Sequence, residues 1–176
     1  MSLLELKNIS KSYISKVGNL QVINKLNLSV DHNQNIFLFG PSGCGKSTLL
    51  KIIAGLLAPN QGEVYVNGQI VTEPGPDRAF VFQDFALMPW ASVLRNVAFG
   101  LELRKVAKSE REDIARKYIK DVGLDGFENS FPHELSGGMR QRVGLARALS
   151  VDSPVLLMDE PFSAVDEQTR RKFQED

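Results

Sequence analysis

The stretch Gly40-Pro41-Ser42-Gly43-Cys44-Gly45-Lys46-Ser47 decides the fold, because it matches the pattern G-x-x-x-x-G-K-[ST]. The apolar run Ile36–Phe39 before it is typical of a buried strand, and Ser47–Leu57 after it has the pattern of a helix. Glycines permit backbone conformations in which successive N–H groups point inward and hold phosphate oxygens. The positive end of the following helix reinforces that site. The stretch therefore predicts a phosphate-binding loop.

Two side chains of this loop carry specific chemistry. Lys46 supplies a point charge to the β and γ phosphates of a nucleotide, and the Ser47 hydroxyl is a magnesium ligand. The alternative is an ordinary glycine-rich turn, which the flanking strand and helix disfavour. The residues assigned to the phosphate cradle are Gly40, Pro41, Ser42, Gly43, Cys44, Gly45, Lys46, Ser47 and Thr48.

A second apolar run, Val155–Met158, ends in two acids, Asp159 and Glu160. An unpaired buried charge is costly, and a magnesium ion would supply the missing partner. Asp159 is therefore predicted to orient magnesium, and Glu160 to act as general base on an attacking water. The alternative is a strand end that emerges into solvent, where acidic residues are common.

A second predicted helix start could also bind an anion, at Leu135-Ser136-Gly137-Gly138-Met139. Ser136 caps this helix, and Gly137 and Gly138 follow it. The simpler interpretation is a serine N-cap with a flexible entry. The further interpretation is that two copies face each other, and each Ser136 contacts the γ-phosphate on the other chain.

Composition limits the class of protein. The 176 residues contain 43% hydrophobic residues, and 21 Lys plus Arg balance 21 Asp plus Glu. This balance argues against a broad nucleic-acid surface. Cys44 is the only cysteine, so no intrachain disulfide is expected. No apolar stretch approaches the roughly 18 residues of a membrane span, and the start has no signal-peptide pattern.

The remaining patterns predict an α/β chain in which a mixed sheet core is interrupted by a helical subdomain. The core comprises residues 1–83 and 151–176, and the subdomain comprises 84–150. Asn67-Gly68 predicts a tight hairpin turn. The further predicted strands are Leu3–Asn8, Val22–Val30, Glu63–Val66, Gln69–Val71 and Ala79–Phe82, and the further predicted helices are Val93–Leu103, Ser109–Val122, Ser136–Leu149 and Asp166–Gln174.

These motifs, in this order and spacing, resemble the P-loop ATPase of ABC transporters over essentially the whole chain. The resemblance implies an enzyme that binds ATP and magnesium and hydrolyses ATP as a head-to-tail homodimer. It implies that Tyr13 stacks on adenine, although a half-buried strand residue is the alternative. It also implies that Gln83 contacts magnesium and water, and that Asp166, after Ser163-Ala164-Val165, connects the two sites of the dimer.

Finer resemblance, in Phe80–Trp90 and Val93–Val97, is to nitrate, sulfonate and taurine import ATPases. That branch implies transmembrane permease subunits as partners, a solute-binding protein acting indirectly, and a peripheral position on the cytoplasmic face of the membrane. Trp90 then helps to form the docking surface for a permease helix, or is a core tryptophan.

Two departures from the family pattern affect the expectation. Met139 replaces the usual glutamine of the Ser136 motif, which predicts weakened function. The family continues beyond Asp176 with a strand that carries a histidine, so the terminal part of the core is expected to be missing, leaving a gap in the sheet and a weakly active chain. The alternative is a rearranged or swapped core. For the function of the chain, the alternatives to a transport ATPase are an ATP-binding-only protein, a DNA-repair or chromosome ATPase, and a kinase. A kinase has no use for Leu135–Met139, and the segment after Gln83 lacks the heptads of repair ATPases.

Overall fold

The computed structural model of the chain describes residues 2–15 and 18–160. The chain divides into two compact units between Arg78 and Ala79. The predicted helix Asp166–Gln174 and the motif that ends at Asp166 lie outside the described residues. The expected division into a core and an 84–150 subdomain stays a prediction.

The first unit is built on an antiparallel sheet of four strands, in the order β2-β1-β3-β4. Its strands are β1 (Leu4–Ser15), β2 (Gly18–Val30), β3 (Gln61–Val66) and β4 (Gln69–Ile70), and its helix is α1 (Lys46–Ile53). Leu4 pairs with Val30 on one side and with Val66 on the other, and all three are buried. The predicted strands Leu3–Asn8, Val22–Val30, Glu63–Val66 and Gln69–Val71 are confirmed, and β1 and β2 are both longer than predicted.

The turn between β3 and β4 is the predicted hairpin. Asn67 and Gly68 both have positive φ angles, 49° and 75°, as a two-residue turn with right-handed strand twist requires. Helix α1 is shorter than predicted because Gly55 takes a left-handed conformation, φ 75°, directly after its C-cap Ala54. A Cβ at Gly55 would lie 2.4 Å from the Glu73 carbonyl oxygen. Only glycine therefore fits at this position, and its left-handed backbone ends the helix.

The predicted buried strand Ile36–Phe39 is wrong. These residues form no strand, and Phe37 and Phe39 are 75% and 91% exposed. A strand needs a neighbour that pairs with its backbone N–H and C=O groups. None of the strands within residues 2–15 and 18–160 pairs with this run, so its apolar composition alone does not produce a strand.

The second unit combines a two-stranded sheet with three helices. Its elements are β5 (Arg78–Val81), α2 (Val93–Leu103), α3 (Lys108–Asp121), a short 3-10 helix (Pro132–Glu134), α4 (Gly137–Ser150) and β6 (Val155–Met158), and β5 pairs with β6. The predicted helices and strands of this region are confirmed to within a residue or two. None of the helices described is both long and apolar enough to cross a membrane.

The three helices of the second unit share one apolar core. Its buried residues come from α2, α3, α4 and the connection between α3 and α4: Val93, Val97, Ala98, Ala115, Ile119, Leu124, Leu135, Val143 and Ala146. Val143 and Ala146 lie three positions apart on one face of α4, and both are fully buried. This core fixes α2 and α4 against each other and so gives the loops around them a rigid support.

Asn96 is a fully buried polar residue at the edge of that core. Its Oδ1 accepts a hydrogen bond from the Met88 N–H at 2.9 Å, and its Nδ2 donates to the carbonyls of Met88, Ala91 and Ser92 at 3.2, 2.9 and 3.1 Å. One side chain of α2 thereby fixes the turn that leads into the same helix. Loss of this side chain would remove the hydrogen-bond partner of the Met88 N–H and of the Ala91 carbonyl. The Met88 and Ser92 carbonyls would keep the Ala91 and Asn96 N–H groups as donors.

We expect Asn96→Ala to lower the free energy of unfolding by roughly 2–4 kcal/mol, because the Met88 N–H and the Ala91 carbonyl lose their side-chain partner and the fully buried side chain is removed. Urea denaturation followed by circular dichroism measures the change. The control is Asn24→Ala, at an exposed position in β2, for which we expect a change within about 0.5 kcal/mol. Equal stability of the two variants would contradict the structural role of Asn96.

Candidate functional site

The Lys46 side chain folds back over the loop that precedes it. Its Nζ atom donates hydrogen bonds to the backbone oxygens of Gly40 at 2.8 Å and Pro41 at 3.0 Å, and it lies 3.8 Å from Cys44 Sγ. Helix α1 begins at Lys46, and its N-cap, Gly45, has no side chain to cap the first turn. The ammonium charge and the positive end of the helix are therefore at the same place, which suits an anion.

Glycine is required in this loop for two different reasons. Gly43 and Gly45 have left-handed φ angles of 79° and 103°, which other residues rarely adopt. A Cβ at Gly45 would also lie 2.6 Å from Val22 Cγ1, whereas a Cβ at Gly43 would meet nothing within 4 Å. The loop thus passes directly against β2 at Gly45, where backbone conformation and available space both exclude a side chain.

Tyr13 lies on the strand pair that the loop contacts. It pairs with Leu20 between β1 and β2, and Leu20 precedes Val22 by two positions, about 7 Å along a strand. The Tyr13 side chain is 40% exposed, and Lys11 Nζ lies 5.6 Å from the centre of its ring. An exposed ring near the loop is what stacking on a base requires, and the role of Tyr13 stays a prediction.

Strand β6 ends at the two predicted acidic residues, and their environments differ. Asp159 is buried, and its N–H donates to the Val81 carbonyl of β5 at 3.0 Å. Glu160 is exposed and has a left-handed φ of 47°. Gln83 Nε2 donates a hydrogen bond to Glu160 Oε2 at 3.1 Å. The structure therefore brings together Gln83 and Glu160, two predicted site residues that are far apart in sequence, next to the buried Asp159.

Ser136 is the N-cap of helix α4, as predicted. Its Oγ accepts a hydrogen bond from the Met139 N–H at 3.3 Å, and Ser136 is exposed. A Cβ at Gly138 would meet nothing within 4 Å, so the surroundings of the first turn are open. Met139 packs against the helical core, so the residue that departs from the family pattern contributes to stability. The N-cap interpretation is confirmed, and the anion-binding interpretation stays a prediction.

The segment after Gln83 contains two consecutive left-handed residues, Phe85 with φ 62° and Ala86 with φ 42°. Such a conformation costs about 1–2 kcal/mol for each L-residue. The Arg147 guanidinium donates to both carbonyls, through Nη1 to Ala86 and through Nη2 to Phe85, each at 2.7 Å. Hydrogen bonds from a charged donor contribute about 1.5–3 kcal/mol each, so this pair is strong enough to offset the strain.

Arg147 makes these contacts while it is half-buried. Burial lowers the pKa of Arg147 below its ordinary value, but a guanidinium still remains protonated at neutral pH. Among residues 2–15 and 18–160, no carboxylate forms an ion pair with it. Its charge is therefore directed at the two backbone carbonyls.

Sequence reasoning did not identify Asn96 or Arg147. Asn96 interrupts the apolar stripe of α2 next to Val97, and a polar residue in such a stripe can indicate a buried hydrogen-bond network. No comparable pattern marks Arg147, because its partners are backbone carbonyls.

For Trp90, the alternative of a core tryptophan is wrong, since its side chain is 73% exposed on a turn. It lies between Met88 and Ala91, two of the residues that Asn96 fixes.

The predicted magnesium ligands are Ser47, Gln83 and Asp159, and all three present oxygen donors. Magnesium prefers oxygen, and it is commonly held by one or two carboxylates together with substrate phosphates and water. A hydroxyl, an amide and a buried carboxylate fit that chemistry. The ligand set stays a prediction.

The chain is similar to ATP-binding proteins of import systems. A family model described as ABC transporter matches residues 23–163. The taurine import ATP-binding protein TauB of Pseudomonas syringae pv. tomato is 50% identical over 175 residues, which are 99% of this chain and 66% of that protein. The nitrate import ATP-binding protein NrtD of Synechocystis sp. is 45% identical over 172 residues, which are 98% of this chain and 65% of that protein.

A solved structure confirms the expected α/β fold with a phosphate loop. The dimeric post-hydrolysis state of the ATP-binding cassette MJ0796, bound to ADP and Pi, is 34% identical with a TM-score of 0.87. The match covers 98% of this chain and 80% of that one. The present chain spans about two thirds of the length of the curated relatives it matches.

We expect Gly45→Ala to lower the free energy of unfolding by about 1–3 kcal/mol more than Gly43→Ala does. Both variants place an L-residue at a left-handed position, but only the alanine at 45 collides with Val22. Urea denaturation of the two variants measures this difference. Equal loss of stability would show that the contact with Val22 relaxes at little cost.

Proposed function

The chain belongs to the ABC transporter family of ATP-binding proteins, and from this membership we propose that it binds and hydrolyses ATP as the energising subunit of an importer. The proposed cargo is a small anionic solute of the nitrate, sulfonate or taurine type. This assignment is supported by about 50% identity to a taurine import protein and 45% identity to a nitrate import protein.

The position of Lys46 is the observation that carries the proposal. Its ammonium group lies over the loop at 2.8 Å from the Gly40 oxygen, at the start of helix α1. A triphosphate bound there meets the lysine charge, the helix dipole and the N–H groups of the glycine-rich loop together. In this proposal the residues Gly40–Thr48 hold the phosphates, and Tyr13 stacks on the adenine.

The proposed reaction is attack of water on the γ-phosphorus of ATP. Glu160 accepts a proton from this water while the new P–O bond forms and the bond to ADP breaks. Gln83 supports that role because its amide orients the Glu160 carboxylate at 3.1 Å. Lys46 stabilises charge on the phosphate oxygens. Magnesium, when held by Ser47, Gln83 and Asp159, would supply further positive charge to these oxygens.

We propose further that two copies bind ATP between them, head to tail. The helix start at Ser136 would then face the γ-phosphate in the phosphate loop of the partner copy. Exposure of Ser136, the open surroundings of Gly138 and the length of α4, 14 residues, support an anion site at this helix end. The similar cassette MJ0796 forms a dimer in its solved post-hydrolysis state, bound to ADP and Pi.

The proposed partners outside the dimer are permease subunits, with a solute-binding protein acting indirectly. The chain would lie at the cytoplasmic face of the membrane. Trp90 supports a docking surface, because it is 73% exposed on a turn whose backbone Asn96 holds rigidly. The zero formal net charge gives no support to nucleic acid as a partner.

Lys46→Ala should lower the affinity for ATP at least about 100-fold, because the loop loses its positively charged side chain, which would contact the phosphates. Isothermal titration with ATP measures the affinity. The matched control is Lys51→Ala, which removes the same charge from an exposed position on the same helix, and it should bind ATP within about threefold of the unaltered chain. ATP affinity that is equal in the two variants would exclude this loop as the nucleotide site.

Glu160→Gln should leave ATP affinity within about threefold and reduce hydrolysis about 100-fold or more, because an amide cannot accept the proton. Release of phosphate from ATP measures the rate. Glu110→Gln, at an exposed position on α3, is the control and should be unchanged. Normal hydrolysis by Glu160→Gln would exclude Glu160 as the base. Binding without hydrolysis by the unaltered chain would favour the ATP-binding-only alternative.

A further inference from the structure

The backbone just after Gln83 is attached to helix α4 through Arg147. The Phe85 and Ala86 carbonyls, two and three residues beyond Gln83, each accept a hydrogen bond of 2.7 Å from the Arg147 guanidinium. Gln83 itself donates to Glu160 at 3.1 Å. A continuous set of contacts therefore leads from α4 through the loop backbone to the proposed catalytic carboxylate.

Close packing supports the same attachment. A Cβ at Gly144 would lie 3.6 Å from Phe85 Cβ and 3.7 Å from the Phe85 carbonyl oxygen, so α4 packs directly along this backbone. Gly144 and Arg147 are three positions apart and thus lie on one face of the helix. One turn of α4 both contacts the loop and donates hydrogen bonds to it.

The geometry of the loop selects an arginine. Phe85 and Ala86 are consecutive left-handed residues, and consecutive residues of one helical hand direct their carbonyls to the same side. A guanidinium presents two N–H groups in a planar fork and can meet both carbonyls at once. A lysine ammonium is a point charge that can replace only part of this contact.

The other end of the segment is fixed independently. Asn96 of α2 bonds both the N–H and the carbonyl of Met88, at 2.9 and 3.2 Å. Only Leu87 lies between the backbone held by Arg147 and the backbone held by Asn96. The loop after Gln83 is therefore anchored on two helices that share one apolar core.

Ser136, the proposed contact to the partner's nucleotide, is the N-cap of the same helix α4. Arg147 lies eleven positions after Ser136, about 16 Å along a helix. Because α4 is a continuous helix with buried Val143 and Ala146, displacement of its first turn moves Arg147 as well.

We infer that Arg147 is a positioning residue. It makes the segment 83–88, here called the Gln83 loop, follow a displacement of helix α4, and the Glu160 carboxylate follows through its hydrogen bond from Gln83. The inference rests on the proposed function and adds to it a connection, within one chain, between the Ser136 helix and the catalytic base. Arg147 acts on the reaction through Gln83 and has no contact with substrate in this assignment.

The test compares Arg147→Met with Arg142→Met in the intact chain. Arg142 lies on the same helix and donates to the Val122 and Gly123 carbonyls at 3.2 and 3.4 Å, so each variant removes an arginine bound to two loop carbonyls. The rate of amide hydrogen exchange, measured without nucleotide, reports how readily each loop opens. Arg147→Met should speed exchange at 83–88 about tenfold and leave 120–126 unchanged, and Arg142→Met should do the reverse.

Measurements of ATP affinity and of the hydrolysis rate distinguish a role of Arg147 in positioning Gln83 from a role in stability alone. Arg147→Met should reduce kcat about tenfold or more and leave the Kd for ATP within about threefold, whereas Arg142→Met should change neither. Arg147→Lys should give an intermediate kcat, because an ammonium keeps the positive charge and can donate to the carbonyls but lacks the planar fork that meets both at once. If Arg147→Met does not fold, Arg147→Lys replaces it, with the same direction expected for exchange and kcat.

Unchanged exchange at 83–88, or an unchanged kcat, in the Arg147 variants would overturn the inference. Parallel loss of ATP affinity and kcat with a lowered melting temperature would overturn it too, since that pattern indicates only structural damage. If the unaltered chain fails to bind or hydrolyse ATP, the proposed function fails, and the exchange experiment still decides whether Arg147 holds the Gln83 loop.

Discussion

The close approach of the phosphate loop to strand β2 at Gly45 is the constraint on which the candidate site depends. A side chain at that position would collide with Val22, and the backbone is left-handed there. Lys46 and Ser47 follow this glycine directly, in the first turn of α1. The close approach at Gly45 therefore holds the start of α1 against β2, and the chemistry proposed for the loop depends on the side chains of that turn.

A related constraint operates in the second unit, at left-handed residues that are not glycines. Phe85, Ala86 and Glu160 all have positive φ angles, and each such residue costs about 1–2 kcal/mol. Arg147 offsets this cost at Phe85 and Ala86 through two charged hydrogen bonds. Strained backbone at functional turns persists only when surrounding contacts hold it. The turn that follows Gln83 is therefore kept in place by α4.

Several local features could be predicted from sequence because short-range patterns produce them. The apolar spacing and Ser92 cap of Val93–Leu103 give helix α2 with the predicted bounds, and Asn67-Gly68 gives the predicted turn. The Ile36–Phe39 strand was wrong for the opposite reason. Its composition is apolar, but a strand exists only when another strand pairs with it, and pairing is not a local property.

The sequence alone determined the glycine-rich loop before α1, the acidic end of Val155–Met158 and the N-cap at Ser136, because each depends on neighbouring residues and their backbone preferences. Only the tertiary structure decided that Gln83 meets Glu160 and that Arg147 binds Phe85 and Ala86. These partners are separated by 77, 62 and 61 positions. Periodicity reports which face of an element is buried, but it contains no information about which distant carbonyl or carboxylate that face meets.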